Sequence, residues 1–166
     1  MPIVAAAVVP HSPVLIPGVA HQHSSFTSTT VDQLHNLAAD LYAAQPEVMV
    51  FLSPHGIAYR RTMVLQAADQ YQGGFTDFGD PHTIVTAAGA MGLMHRLKNS
   101  AELDHLPVVM QTFPEIDYGI SVPVFHLLPP QPQLPIIPIT APCLDIDLCV
   151  RAGAILHDFF HGLKQR

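Results

Sequence analysis

The sequence predicts an α/β fold: a single three-layer domain with a central, mostly parallel sheet and helices on both faces. Three observations predict it. The runs Ile3–Val9 and Val48–Leu52 are apolar without alternation, which is how strands covered on both faces read, and Pro135–Thr140 reads as a further strand. Between the first two runs lies a stretch whose apolar residues recur at helical spacing, so the order is strand, helix, strand, the unit that gives parallel pairing with a right-handed crossover. Finally, 166 residues are enough for one substantial core, and residues 1–166 are read as one domain.

The elements follow in order. Ile3–Val9 is expected to be the first central strand, stopped by Pro10, Pro13 and Pro17, which leaves His11 in the loop at its C-terminal end. From Ser28, residues Val31, Leu34, Leu37, Ala38, Leu41 and Tyr42 mark one amphipathic helix that ends before Pro46. Val48–Leu52 is the second strand and runs straight into Ser53-Pro54-His55-Gly56. Met63–Ala67 reads as a short strand, Gly73–Pro81 as turn-rich loop, and Thr83–Lys98 as a helix. Pro107–Met110 is a third short strand, a short helix begins at Ser121, Pro135–Thr140 is a strand, and Leu144–Leu163 is the closing helix.

Composition excludes several classes of function. Net charge is -6 with histidines neutral, and only 7 residues are Lys or Arg, so a surface for a phosphate backbone lacks its cations and nucleic acid is not an expected partner. No stretch approaches the roughly 20 uninterrupted apolar residues of a membrane span, and the N-terminus lacks the cationic start of a signal peptide. A soluble, cytoplasmic protein with no membrane partner is expected. Apolar residues make up 49% of the chain and charged ones 12%, which predicts that some apolar surface is buried against another chain, a homodimer being the default. Cys143 and Cys149 stand six apart, a spacing that fits neither zinc nor redox motifs, and are read as buried thiols.

The informative coincidence is that two apolar strands end in Pro10-His11-Ser12-Pro13 and Ser53-Pro54-His55-Gly56. Ligands collect outside the carboxyl ends of strands in an open α/β sheet, and neutral imidazole is the commonest metal ligand, so His11 and His55 are the candidate divalent-metal pair. His21 and His23 follow in the same loop and can line its mouth; the other histidines have no such context.

These motifs, with Phe78-Gly79-Asp80-Pro81 and Asp117-Tyr118-Gly119-Ile120-Ser121-Val122-Pro123, resemble in order and spacing the class III extradiol ring-cleavage dioxygenases, the superfamily of the catalytic subunit of protocatechuate 4,5-dioxygenase and its Memo-like relatives. The resemblance implies a non-haem Fe(II) held by His11 and His55, with a glutamate completing a facial triad, and a catechol-type aromatic ring opened with O2. Zn(II) is the alternative metal. Ser12, Pro13 and Gly56, next to the two histidines, and Asp117, next to Tyr118, become the candidates for contacting substrate.

Two departures qualify that implication. Active members carry Asp-His-Gly where this chain has Asp117-Tyr118-Gly119; Tyr118, the catalytic candidate at that position, can donate a hydrogen bond, but tyrosine is a poor base near neutral pH. The region that in the family holds a later Ser-Gly-x-x-Ser-His element and the glutamate ligand has no counterpart in these 166 residues. Glu115 is the nearest acidic replacement for the missing ligand. Three readings stay open: an enzyme completed by a partner subunit, a non-catalytic metal-binding or structural homologue, and a truncated piece of a longer chain.

Overall fold

The computed structural model describes residues 3–21, 24–128, 134–140 and 145–163. Its elements are α1 (Pro17–Ala20), α2 (Ser24–Ala44), β1 (Met49–Ser53), β2 (Met63–Ala67), β3 (Gln70–Phe75), β4 (Asp80–Ala88), α3 (Met91–Leu103), β5 (Val108–Thr112), α4 (Tyr118–Leu127), β6 (Ile136–Thr140) and α5 (Ile146–Gly162). The fold is α/β, with a four-stranded mixed sheet in the order β1-β6-β2-β5 and a separate antiparallel hairpin of β3 and β4. β1 pairs parallel with β6, β2 parallel with β5, and β2 antiparallel with β6.

β6 is covered on both sides and every residue of it is buried, as its unbroken apolar run requires. It nevertheless contains Pro138, which pairs with Phe51, whereas the β2 ladder engages β6 only at Ile139 and Thr140. The proline's missing donor therefore falls where the second ladder has already ended. α3 packs on β2 and β5 with α5 beside it, while α4 packs on β1 and against α2. Leu65, Leu97, Ile120, Ile136, Ile137 and Ile139 are all essentially solvent-free and form the centre of the core.

Four expectations are corrected. Ile3–Val9 forms no strand and joins no sheet among the described residues, with Val8 fully exposed and Ile3 and Val4 each 52% exposed. An apolar run becomes a strand only where a neighbour takes up its backbone groups; among the described residues, β1 stands at the sheet edge and pairs only with β6. Second, the parallel partner of β1 is thus β6, contributed by residues far along the chain, and the predicted local crossover is not formed. Third, the predicted loop and helix over residues 73–98 are instead the β3–β4 hairpin followed by α3. Thr83, Ile84, Val85 and Thr86 are β-branched and favour the strand, and burial alternates along the end of β4, with Val85 and Ala87 inward and Thr86 outward. Fourth, Cys149 is exposed on α5, not buried, because Leu148 and Ala152 take the inward face; Cys143 lies outside the described residues.

His126 on α4 links the helix to the loop that carries His11. It is buried, Nε2 lies 3.1 Å from the Leu15 carbonyl and so donates to it, and Nδ1 has no partner among the described residues. Burial lowers its pKa below the ordinary 6.5, with the Leu15 carbonyl opposing and the nearby His35 adding to the depression. For a base whose folded pKa is depressed, the unfolded chain takes up protons first on acidification. This contribution to stability is therefore complete above pH 6.5 and shrinks as pH falls from there toward the folded value. Urea midpoints measured from pH 7.5 to 5 should fall, and His126→Leu should flatten that slope; an unchanged slope in the variant would remove His126 from this role.

Candidate metal centre

His55 follows β1 and is held at four points. Its amide donates to Ser53 Oγ at 3.1 Å, its carbonyl accepts from Thr140 Oγ1 at 3.3 Å, and its Nδ1 lies 3.2 Å from the Tyr118 hydroxyl. Its Nε2 lies 3.0 Å from Nε2 of His11. Ser53 and Thr140 are buried ends of β1 and β6, so two adjacent parallel strands fix the main chain that carries this ring.

Asp117 is the brace behind it. As N-cap of α4, its Oδ1 accepts from Gly119 N at 2.7 Å and from Ser53 Oγ at 2.9 Å, tying the helix to β1. Gly119 lets these pieces approach: a Cβ there would lie 2.6 Å from Ser53 Oγ, 2.7 Å from Asp117 Oδ1 and 3.0 Å from His55 Cδ2. Gly56 has φ +85°, left-handed backbone that glycine adopts without strain, and a Cβ there would meet Asp117 Oδ2 at 3.0 Å.

His11 is held differently. No described strand precedes it; it enters through a 3-10 turn, Pro13–Leu15, capped by Ser12, whose carbonyl accepts from Leu15 N. Ile16, fully buried, anchors that turn. The 11–18 segment is also pinned by close packing of Gly18 against Asp80, where a Cβ would lie 1.9 Å from Oδ2. Asp80 Oδ1 accepts from His82 N and Thr83 N, and hydrogen bonds from Thr83 and His82 hold its carboxyl below the ordinary value. The Phe78-Gly79-Asp80 turn thereby comes to the site, with the Phe78 ring edge-on to Tyr118 at 5.3 Å.

His11, His55, Tyr118 and Phe78 thus form one aromatic wall, with the His55 and Tyr118 rings 4.3 Å apart. Phe78 belongs to a motif that the sequence marks only as loop, and its 3-10 turn, Thr76–Phe78, brings it here. Ser12 and Pro13 cap and open the turn after His11, and Asp117 faces Ser53 and Gly119, as described above. Glu115 is not brought to the pair. Its side chain is exposed, its main chain bridges to Gln72 and accepts from Gln66 Nε2, and it borders a cavity of about 320 Å³ that Gly56, Asp117 and Thr140 also line. Among the described residues, no group of three or more His, Cys, Asp or Glu side chains is placed to hold a metal ion.

The pair nonetheless suits one. Two imidazole nitrogens 3.0 Å apart are close enough that both could donate to one divalent ion. With Nε2 of His55 so used, its Nδ1–H would donate to the Tyr118 oxygen, which would fix the tautomer that presents Nε2. Without an ion, one Nε2–H donates to the other nitrogen.

Sequence comparison matches this architecture. The family model described as catalytic LigB subunit of aromatic ring-opening dioxygenase covers residues 5–165. The chain belongs to the LigB family. It is also similar to a Clostridium acetobutylicum protein, Protein CA_C1420, with 24% identity over 149 residues, which is 84% of this chain and 32% of that relative. The chain thus spans about a third of that relative's length. Family membership supports an extradiol dioxygenase-like protein, and non-haem iron is typical of LigB proteins. Among the described residues, no helix is long and apolar enough to cross a membrane.

Proposed function

We propose that this chain supplies the two-histidine half of a non-haem iron centre that opens catechol-type aromatic rings with O2. The observation that carries the reading is the 3.0 Å separation of His11 Nε2 and His55 Nε2, with the His55 ring and main chain held from behind. His11 and His55 are the ligands. Bound Fe(II) would supply the redox chemistry with O2 and a Lewis-acidic anchor for the ring hydroxyls. Tyr118 fixes the His55 ring and is the hydrogen-bonding group on this chain for a bound catechol, and Phe78 offers an aromatic edge beside it. Ser12, Pro13 and Gly56, beside the two histidines along the chain, are the further candidates for contacting substrate, and Asp117 acts on substrate only by holding the helix that carries Tyr118.

The third ligand and the proton-accepting base come, on this reading, from another chain or from further sequence, and a homodimer is the simplest source. Glu115 serves as ligand only if its loop leaves Gln72 and Gln66, and it ranks behind a partner's carboxylate. Tyr118 in place of the family's histidine favours a second reading, a metal-binding homologue that does not turn over.

Anaerobically purified protein loaded with Fe(II) should bind one equivalent, and His55→Ala should weaken binding by at least a hundredfold. O2 uptake with a panel of catechols then separates the readings. Uptake that disappears in His55→Ala supports the enzyme, and binding without uptake, with any partner present, supports the homologue. Absence of stoichiometric iron or zinc binding sinks both.

A further inference from the structure

We propose that His157 and His161 form a second, surface-exposed site for a divalent transition-metal ion, independent of the His11/His55 pair. The two residues stand four apart near the end of α5, a 17-residue helix, and therefore lie one above the other on the same face. Both are exposed, and their rings are already parallel to within 19° with centroids 5.8 Å apart. Small side-chain rotations bring two such rings onto one ion, as paired helical histidines do in metalloenzymes.

The neighbouring carboxylate prepares the first ring. Asp158 Oδ1 lies 3.0 Å from His157 Nδ1, and a carboxylate only accepts, so Nδ1 carries the hydrogen. The lone pair of His157 is then on Nε2, the nitrogen left free to ligate, and the hydrogen bond to Asp158 orients the ring. Two imidazoles with water in the remaining positions select nitrogen-preferring ions, Cu(II) ahead of Ni(II) and Zn(II), over Mg(II) or Ca(II). Binding would clamp the last turn of α5, whose inner face is anchored through Ile155, Leu156 and Phe160.

The test is a titration of the intact chain with Cu(II) alone, followed by paramagnetic broadening of its amide and imidazole NMR signals. Signals of residues 157–161 should broaden well below one equivalent, and this should persist in His55→Ala. His161→Ala, which keeps a good helix former at an exposed position, should weaken the α5 site at least tenfold with an unchanged far-UV spectrum. Broadening at α5 that survives His161→Ala, or that is absent while other histidines respond, overturns the proposal.

Discussion

Replacing Gly119 by alanine should destabilise this protein by about 1–3 kcal/mol and weaken metal binding at the histidine pair by at least tenfold. The sign is what makes the test sharp. Gly119 lies in the first turn of α4, where alanine is normally the better residue by up to about 1 kcal/mol. Here the added methyl would enter a space already taken by Ser53 Oγ, Asp117 Oδ1 and His55 Cδ2, all within 3.0 Å. None of the three is the loose end of a long side chain. Ser53 is held in β1, Asp117 is bonded to the helix it caps, and the His55 ring is bonded to Tyr118. Something must shift, and moving the His55 ring alters its distance to His11. Urea denaturation and iron titration of the variant measure the two effects. A more stable variant with unchanged metal affinity would mean that the close approach at Gly119 does not set the site.

Asp117→Ala should cost still more, about 2–4 kcal/mol. Losing the N-cap of α4 costs about 1 kcal/mol, and leaving the hydroxyl of Ser53, which is 1% exposed, without its acceptor costs about 1–3 kcal/mol. Asp117→Asn keeps an oxygen for both donors and should lose clearly less. Because Ser53 and Asp117 bond each other, a double-mutant cycle with Ser53→Ala should be less than additive, by at least 0.5 kcal/mol. Additive losses would show that the two side chains act separately, and that the link from β1 to α4 lies elsewhere.

Aspartate in a turn commonly bonds nearby amides, so the bond of Asp117 to Gly119 N is a local feature. That its second partner is Ser53, 64 residues earlier, was not legible, since a pairing across the sheet leaves no local pattern. The same holds for Phe78. Its motif was visible, but the edge contact with Tyr118 depends on a turn packed against Gly18 through Asp80.

Local pattern was enough for the α/β class and for the positions of β1, β2, β5, β6, α2, α4 and α5. Hydrophobic period and proline punctuation act over a few residues, and those features need nothing more. Tertiary structure decided which strands are neighbours. Ile3–Val9 and β1 carry the same kind of apolar run, yet only β1 gains a ladder, because strand formation is a property of two segments. It likewise decided that residues 80–88 pair with β3 and do not coil into a helix, since cross-strand packing outweighs weak local preference. His11 and His55 meet because β1, β6, α4 and the pinned 11–18 turn converge on one point, and the distance at which they meet, the quantity that makes them a metal pair, was set by that convergence alone.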